Sequence, residues 1–201
     1  MRFFCLSDTH GQYPEGVVRR LDGQVILHAG DFYNEGIAQA HPDWDDIISR
    51  NDILVVRGNH DCVKTDLLDN HDLSMGLCRA GDVWVVGLGW CGHEYHNLAP
   101  EALMTKHVLC LLDACTKVLQ DGDRTVLVTH YPPQHKMLKN WEGWEFKCIT
   151  SLIHALRPQA VVAGHRHGMA GRTLYQDDVP IVFPGPKGCW LDVSEEGVKI
   201  E

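Results

Sequence analysis

The sequence predicts an α/β fold, a layered sandwich with mixed sheet, and three observations carry that expectation. Short apolar runs alternate with helix-like segments through most of the chain. Strands alone follow toward the C-terminus. Polar clusters stand just after the strands, where open α/β sheets place their sites. With 201 residues, 44% of them hydrophobic and 22% charged, the chain has the size and composition of one soluble domain over residues 1–201.

The elements follow in order. Arg2–Ser7 and Gln24–His28 are rich in Phe, Leu, Val and Ile and read as buried strands, with a helix over Glu15–Leu21 between them. A helix over Asp43–Arg50 precedes a strand at Ile53–Arg57, and its Asp43-Trp44-Asp45-Asp46 start reads as a solvated first turn. Asp82–Leu88 is a strand whose partner is Asp72–Arg79 across the turn Ala80-Gly81. Pro100 suits the first turn of a long helix over Glu101–Gln120, which Asp121-Gly122-Asp123 ends. Strands at Thr125–Thr129 and Ala160–Ala163 flank a helix over Phe146–Leu156. Thr173 to Ile200 reads as three short strands broken at Asp177-Asp178, Pro184-Gly185-Pro186 and Glu195-Glu196-Gly197.

Composition excludes several functions. No apolar run approaches the ~18 residues of a membrane helix, and the opening MRFFCLSDTHGQ is too short in its apolar part for a secretory leader, so the expected compartment is the cytoplasm. The eight cysteines form no C-x-x-C pair and are read as reduced thiols, Cys62 beside Asp61 included. A net charge of −9 argues against non-specific nucleic-acid binding, and it requires that any anionic substrate meet a local positive centre. Thirteen histidines ask for an account.

Five strand ends supply it: Ser7-Asp8-Thr9-His10-Gly11, His28-Ala29-Gly30-Asp31, Arg57-Gly58-Asn59-His60-Asp61, Thr129-His130-Tyr131 and Gly164-His165-Arg166-His167. One Gly-Asp after a strand is an ordinary turn, and one histidine there is an ordinary polar residue. Five clusters at five strand ends, all drawn from Asp, Asn and His, point to mixed oxygen and nitrogen ligands. Such ligands suit Mn, Fe, Zn and similar divalent ions better than Ca or Mg. Seven of them exceed one tetrahedral site and match two adjacent ions that share a carboxylate.

The order D-x-H, G-D, G-N-H-D, H, G-H-x-H resembles the calcineurin-like metallophosphoesterase superfamily, over residues 8 to 167. The resemblance implies a four-layer α-β-β-α sandwich with mixed sheets and two metal ions at the carboxyl ends of the strands. Asp8, His10 and His167 would hold one ion, Asn59, His130 and His165 the other, and Asp31 would bridge them. Mn is the first expectation for the metal, with Fe, Zn, Ni and Co as alternatives. His60 would face the substrate phosphate together with Asn59, and Asp61 would orient His60 from behind. The implied reaction is hydrolysis of a phosphodiester or phosphomonoester by a hydroxide bridging the ions, with His60 protonating the departing oxygen. Two divalent cations outweigh the negative charges of Asp8, Asp31 and the hydroxide, so the centre stays positive inside an acidic chain.

The implied partner is a small phosphorylated substrate, a nucleotide among the options, and self-association into a homo-oligomer stays open. Gly30-Asp31-Phe32-Tyr33-Asn34-Glu35-Gly36 and Gly58-Asn59-His60-Asp61 depart from the protein serine/threonine phosphatase patterns, whereas Ser7-Asp8-Thr9-His10-Gly11 and Val56-Arg57-Gly58-Asn59 look closer to small bacterial-type phosphodiesterases. A non-catalytic scaffold on the same fold is the alternative from another class, and intact His60 and ligands count against it. Gly87-Leu88-Gly89-Trp90-Cys91-Gly92 matches a dinucleotide fingerprint but no helix follows at once, so it reads as a loop over the site. Neither C-x5-R nor G-x-S-x-G occurs. Tyr33, Trp90, Tyr95, Tyr131, Trp141 and Trp144 flank the clusters as candidates for an aromatic wall.

Overall fold

Phe3, Phe4, Cys5 and Leu6 alternate between two apolar environments, and all four are buried, which makes Arg2–Leu6 (β1) an internal strand. The computed structural model describes residues 1–12, 16, 20–34, 41–62, 66–90, 100–138 and 145–201. After β1 come Val25–His28 (β2), Asp43–Arg50 (α1), Asp52–Val55 (β3), Asp66–His71 (α2), Gly76–Ala80 (β4) and Val83–Leu88 (β5). Pro100–Val118 (α3), Arg124–Thr129 (β6), Lys147–Leu156 (α4) and Ala160–Ala163 (β7) follow. The chain continues through Arg172–Gln176 (β8), Val179–Phe183 (β9), Cys189–Ser194 (β10) and Gly197–Ile200 (β11).

Two mixed sheets result, ordered β11-β10-β1-β2-β3 and β4-β5-β6-β7-β9-β8. β1, β2 and β3 run parallel in the first, and β5, β6, β7 and β9 in the second, so their carboxyl ends gather on one side. The facing sides of the sheets bury one core, with Phe3, Cys5 and Leu27 against Val85, Val126, Val128 and Val162. Behind the second sheet, Met104, Val108 and Leu111 of α3 and Ile149, Leu152 and Ile153 of α4 pack over Val86, Leu127 and Val161. Behind the first, Trp44 and Ile47 of α1 cover Phe4, Ile26 and Ile53. The order of layers is therefore α-β-β-α. Each fully buried Val, Leu, Ile or Phe contributes about 1.5–3 kcal/mol, which anchors the strand ends firmly.

Several local expectations change. Thr173 to Ile200 lies within four strands rather than three, because three breaks delimit four segments and the loop after Phe183 carries the chain from one sheet to the other. The strand expected from Asp72 begins only at Gly76: Asp72 instead bridges to Val55 and accepts the Ser74 N–H at 2.8 Å. The helix α2 is unannounced in the sequence and is tied down by Arg57, which reaches Asp69 and Asp72 at 2.6 Å each. Trp44 is wholly buried, so the acidic start of α1 is solvated on one face only. The expected helix over Glu15–Leu21 falls largely outside the described residues. Among the described residues, no helix is long and apolar enough to cross a membrane.

Candidate metal centre

Each strand end hands its polar cluster to the next through main-chain hydrogen bonds. The loops after β1 and β2 stay paired beyond the strands, Asp8 N–H to Gly30 O at 2.9 Å and His10 N–H to Asp31 O at 2.9 Å. Side chains stitch the remainder. Asp8 Oδ1 accepts the His165 N–H at 2.8 Å, and Asp31 Oδ1 accepts the His60 N–H at 2.9 Å. Each aspartate thus commits one oxygen to a neighbouring loop and brings a distant segment alongside its own.

The backbone is strained at these positions. Asp8, His10, Asp31 and His165 all hold positive φ, between 48° and 67°. A non-glycine residue in that region costs of order 1–3 kcal/mol and persists only where the surroundings impose it, commonly at functional sites. Glycines provide the room. A methyl on Gly58 would overlap the Asp31 carboxylate and lie 2.8 Å from His130 Cε1, so only glycine lets the third strand end approach the second.

Two donor groups emerge. Asp8, His10, Asp31 and His167 each offer an atom within 4.8 Å of the others, and Asp31, His130 and His165 do the same. Asp31 belongs to both groups. Asn59 joins the second through Oδ1, 3.0 Å from His130 Nε2 and 3.0 Å from His165 Nδ1. His60 stands beside the first, its ring 4.8 Å from that of His10 and its Nε2 4.0 Å from Asp31 Oδ2. All eight of these side chains, gathered from five segments, therefore cluster at one place.

The tautomers suit cations. His130 Nδ1 lies 2.9 Å from Ala29 O, so Nδ1 carries the proton and Nε2 presents a lone pair. That lone pair faces Asn59 Oδ1 at 3.0 Å, His165 Nδ1 at 3.2 Å and Asp31 Oδ2 at 3.4 Å. A proton on His165 Nδ1 relieves only part of this convergence of acceptors, whereas a cation between them satisfies all four. At the first group, His10 Nε2 and His167 Nε2 face each other at 3.1 Å beside Asp8 and Asp31. The residues present fit divalent ions with mixed nitrogen and oxygen coordination.

Protonation agrees with that fit. Burial pushes the His165 imidazole down to about 2, helped by neighbouring His130 and Arg166, and burial also lowers His10. Both rings are neutral at pH 7, the form in which an imidazole ligates. Burial alone would raise the Asp8 carboxyl, but the hydrogen bond with His167 and the nearby His130 outweigh it and hold Asp8 at about 2, ionised. His167 is raised by the same bond to Asp8, so an ion there competes with a proton.

Asp61 does something other than orient His60. Its carboxylate accepts the main-chain N–H groups of Tyr33 at 2.8 Å, Gly58 at 2.9 Å and Phe32 at 3.2 Å. His60 Nδ1 is buried without a hydrogen-bond partner among the described residues. Asp61 is spent on main-chain groups, and the correction is that it clamps the Asp31 loop to the Asn59 loop. The aromatic wall also changes, since Tyr33 and Tyr131 are buried rather than open to the site. Trp90 packs edge-on against His107, while Tyr95, Trp141 and Trp144 lie outside the described residues, as do Cys91 and Gly92 of the glycine-rich loop.

Two supports carry no obvious sequence signal. Arg57 Nη1 donates to Asp61 O at 3.2 Å, and its pair with Asp69 ties the Asn59 loop to α2. His28 Nε2 meets Thr9 Oγ1 at 3.0 Å, and that hydroxyl donates to Phe32 O at 3.3 Å, tying the first strand end to the second. With the Thr9 proton directed to Phe32, His28 Nε2 is the donor and its buried Nδ1 is unpartnered among the described residues. Arg166, between His165 and His167, turns into the protein and pairs with Glu145 at 3.3 Å.

Comparison with known proteins agrees with this geometry. A family profile described as the calcineurin-like phosphoesterase superfamily domain matches residues 1–198. The chain is 26% identical over 197 residues to the UPF0046 protein K07C11.7 of Caenorhabditis elegans; the match takes in 85% of this chain and 65% of that relative, so the chain spans slightly less than two thirds of it. TT1561 of Thermus thermophilus superposes with a TM-score of 0.65 at 15% identity, covering 100% of this chain and 97% of its own. The phosphopantetheinyl hydrolase of Mycobacterium tuberculosis superposes with a TM-score of 0.63 at 18% identity, covering 91% and 88%. At these identities the superpositions speak for the fold.

Proposed function

The chain belongs to the calcineurin-like phosphoesterase superfamily, and from that premise we propose that it hydrolyses esters of phosphoric acid on small phosphorylated molecules with two divalent ions. The observation that carries the reading is the pair of donor groups joined through Asp31. Asp8, His10 and His167 would complete one coordination sphere, and Asn59, His130 and His165 the other. Manganese is the first choice, with iron, zinc, nickel or cobalt suited to the same donors. When bound, the two cations supply the positive charge that gathers phosphate oxygens and activates water.

The chain's own residues do the rest. Neutral His10 and His165 and neutral Asn59 add ligand atoms without adding negative charge, so only Asp8 and Asp31 offset the cations. That economy gives the local positive centre that a chain of net charge −9 otherwise lacks. His60 is the side chain at the centre not needed as a ligand. Its Nδ1 is enclosed and its side chain is 27% exposed, so Nε2 is the atom that meets substrate. We assign to His60 Nε2 the stabilisation of charge on the phosphoryl oxygens and donation of a proton to the departing alcohol. Asn59, adjoining it, would turn the substrate phosphate toward that nitrogen.

The test is turnover of bis-p-nitrophenyl phosphate and p-nitrophenyl phosphate with Mn²⁺ and with a chelator. Metal-dependent hydrolysis of either supports the reading, and the ratio of the two rates decides between diester and monoester. A protein that binds metal yet hydrolyses neither, nor any member of a nucleotide and phosphodiester panel, is a scaffold and not an esterase.

A further inference from the structure

The loops after β6 and β7, which carry His130, His165 and His167, also line a cavity. Met137 and Leu138, in the 3-10 turn Lys136–Leu138, face Arg166, Gly168 and Met169 of the other loop and Arg172 at the start of β8. Together they enclose a cavity of about 270 Å³. Gly168 and Met169 share the 3-10 turn His167–Met169 with a candidate ligand, so the cavity wall and the metal centre are one or two residues apart in a single rigid turn.

The lining has a definite chemistry. Leu138 is buried and Met169 half-buried against the core behind the second sheet, whereas Met137 is 67% exposed. A methionine left open beside a cavity offers an adaptable apolar contact. The two arginines differ. Arg166 is neutralised by Glu145. The Arg172 side chain is exposed and makes no ion pair or hydrogen bond among the described residues, in a chain of net charge −9. Among the described residues, the cavity thus combines an apolar floor with one positive charge that has no ion pair. Its volume lies just under the usual range for ligand pockets, room for one substituted ring and too little for a folded partner.

We propose that this cavity is a specificity subsite, and that it takes an ester group of the substrate about the size of one aromatic ring that bears a further negative charge, with Arg172 as the residue that selects for the charge. The proposal rests on the phosphoesterase reading for the word substrate, but the binding it describes needs neither metal nor turnover.

The experiment uses the full chain in chelator with its five methionine methyls labelled with carbon-13. It is titrated with 4-hydroxybenzenesulfonate, the alcohol of a phosphoester of the proposed class, and separately with phenol. The expected result is saturable movement of the Met137 and Met169 signals while those of Met1, Met75 and Met104 stay in place. Arg172→Gln is expected to weaken the sulfonate about tenfold, the loss of roughly one charge-assisted contact, and to leave phenol within about twofold. Met137 and Met169 signals that do not move at millimolar sulfonate overturn the proposal, as does an Arg172→Gln variant that binds sulfonate as the parent does. Because no hydrolysis is measured, an active esterase can fail this test and an inactive protein can pass it.

Discussion

Asp61 Oδ1 accepts the main-chain N–H of Tyr33 at 2.8 Å, across the boundary between two strand-end loops. With the bonds from Phe32 and Gly58, this makes a buried carboxylate the fastener between the segments that carry Asp31 and Asn59. Burial pushes its carboxyl up to about 6, against the pull of the Gly58 and Tyr33 N–H groups, so it is ionised at pH 7. Asp61→Asn replaces one acceptor with a donor facing an N–H. The expected loss is about 1–3 kcal/mol of stability, together with weaker metal binding, while His60 keeps its main-chain bond to Asp31. Calorimetric unfolding and metal titration of the variant check both.

Gly58→Ala is expected to be worse than its size suggests. The added methyl meets the Asp31 carboxylate and His130, both donors of the candidate centre. The variant should lose metal binding at the second donor group and unfold at a temperature several degrees lower. Gly122→Ala is the control for strain alone, since its φ is 90° and a methyl there meets nothing within 4 Å. Comparing metal content of the two variants separates crowding of the site from backbone strain.

The fold was largely legible because apolar runs at strand period bounded by Gly, Asp and Pro leave few alternatives. The candidate ligands were legible for a different reason: Asp, Asn and His in such density at strand ends have few structural uses. What the sequence concealed was the wiring between loops. Asp61 follows His60 directly, which suggested a partnership, yet its side chain points to main-chain donors 28 and 29 residues away in sequence. Thr9 acts through contacts with His28 and Phe32, 19 and 23 residues away, and Arg57 through Asp69 and Asp72, 12 and 15 away, which no local pattern records. Nor does spacing announce α2, whose position depends on ion pairs with Arg57.

His28 gives the protein an acid-sensitive fastener. Burial holds its imidazole down at about 3, against an ordinary 6.5. Between those values the unfolded chain takes up a proton that the folded chain refuses. The His28 contribution is therefore fully present above pH 6.5 and declines as the pH falls toward 3. Burial acts in the same direction on His10 and His165, so the acid limb is steep. His28→Gln is expected to flatten part of it: melting temperatures of variant and parent, measured in chelator from about pH 7.5 to 4, should converge toward the acid end. Parallel curves would deny the role.

His60→Gln keeps every candidate ligand and removes the proposed proton donor. The expected outcome is unchanged metal content with kcat lower by roughly 10²–10⁴-fold on the better of the two nitrophenyl esters. A variant with parental kcat would take His60 out of the reaction.

The sharing of one carboxylate by two ions is what everything else depends upon, and anomalous scattering from a manganese-loaded crystal reads it most directly. Two peaks are expected about 3.5–4 Å apart, both within bonding distance of Asp31, one beside His10 and His167 and the other beside Asn59, His130 and His165. A single peak, or two peaks of which only one touches Asp31, would contradict the account.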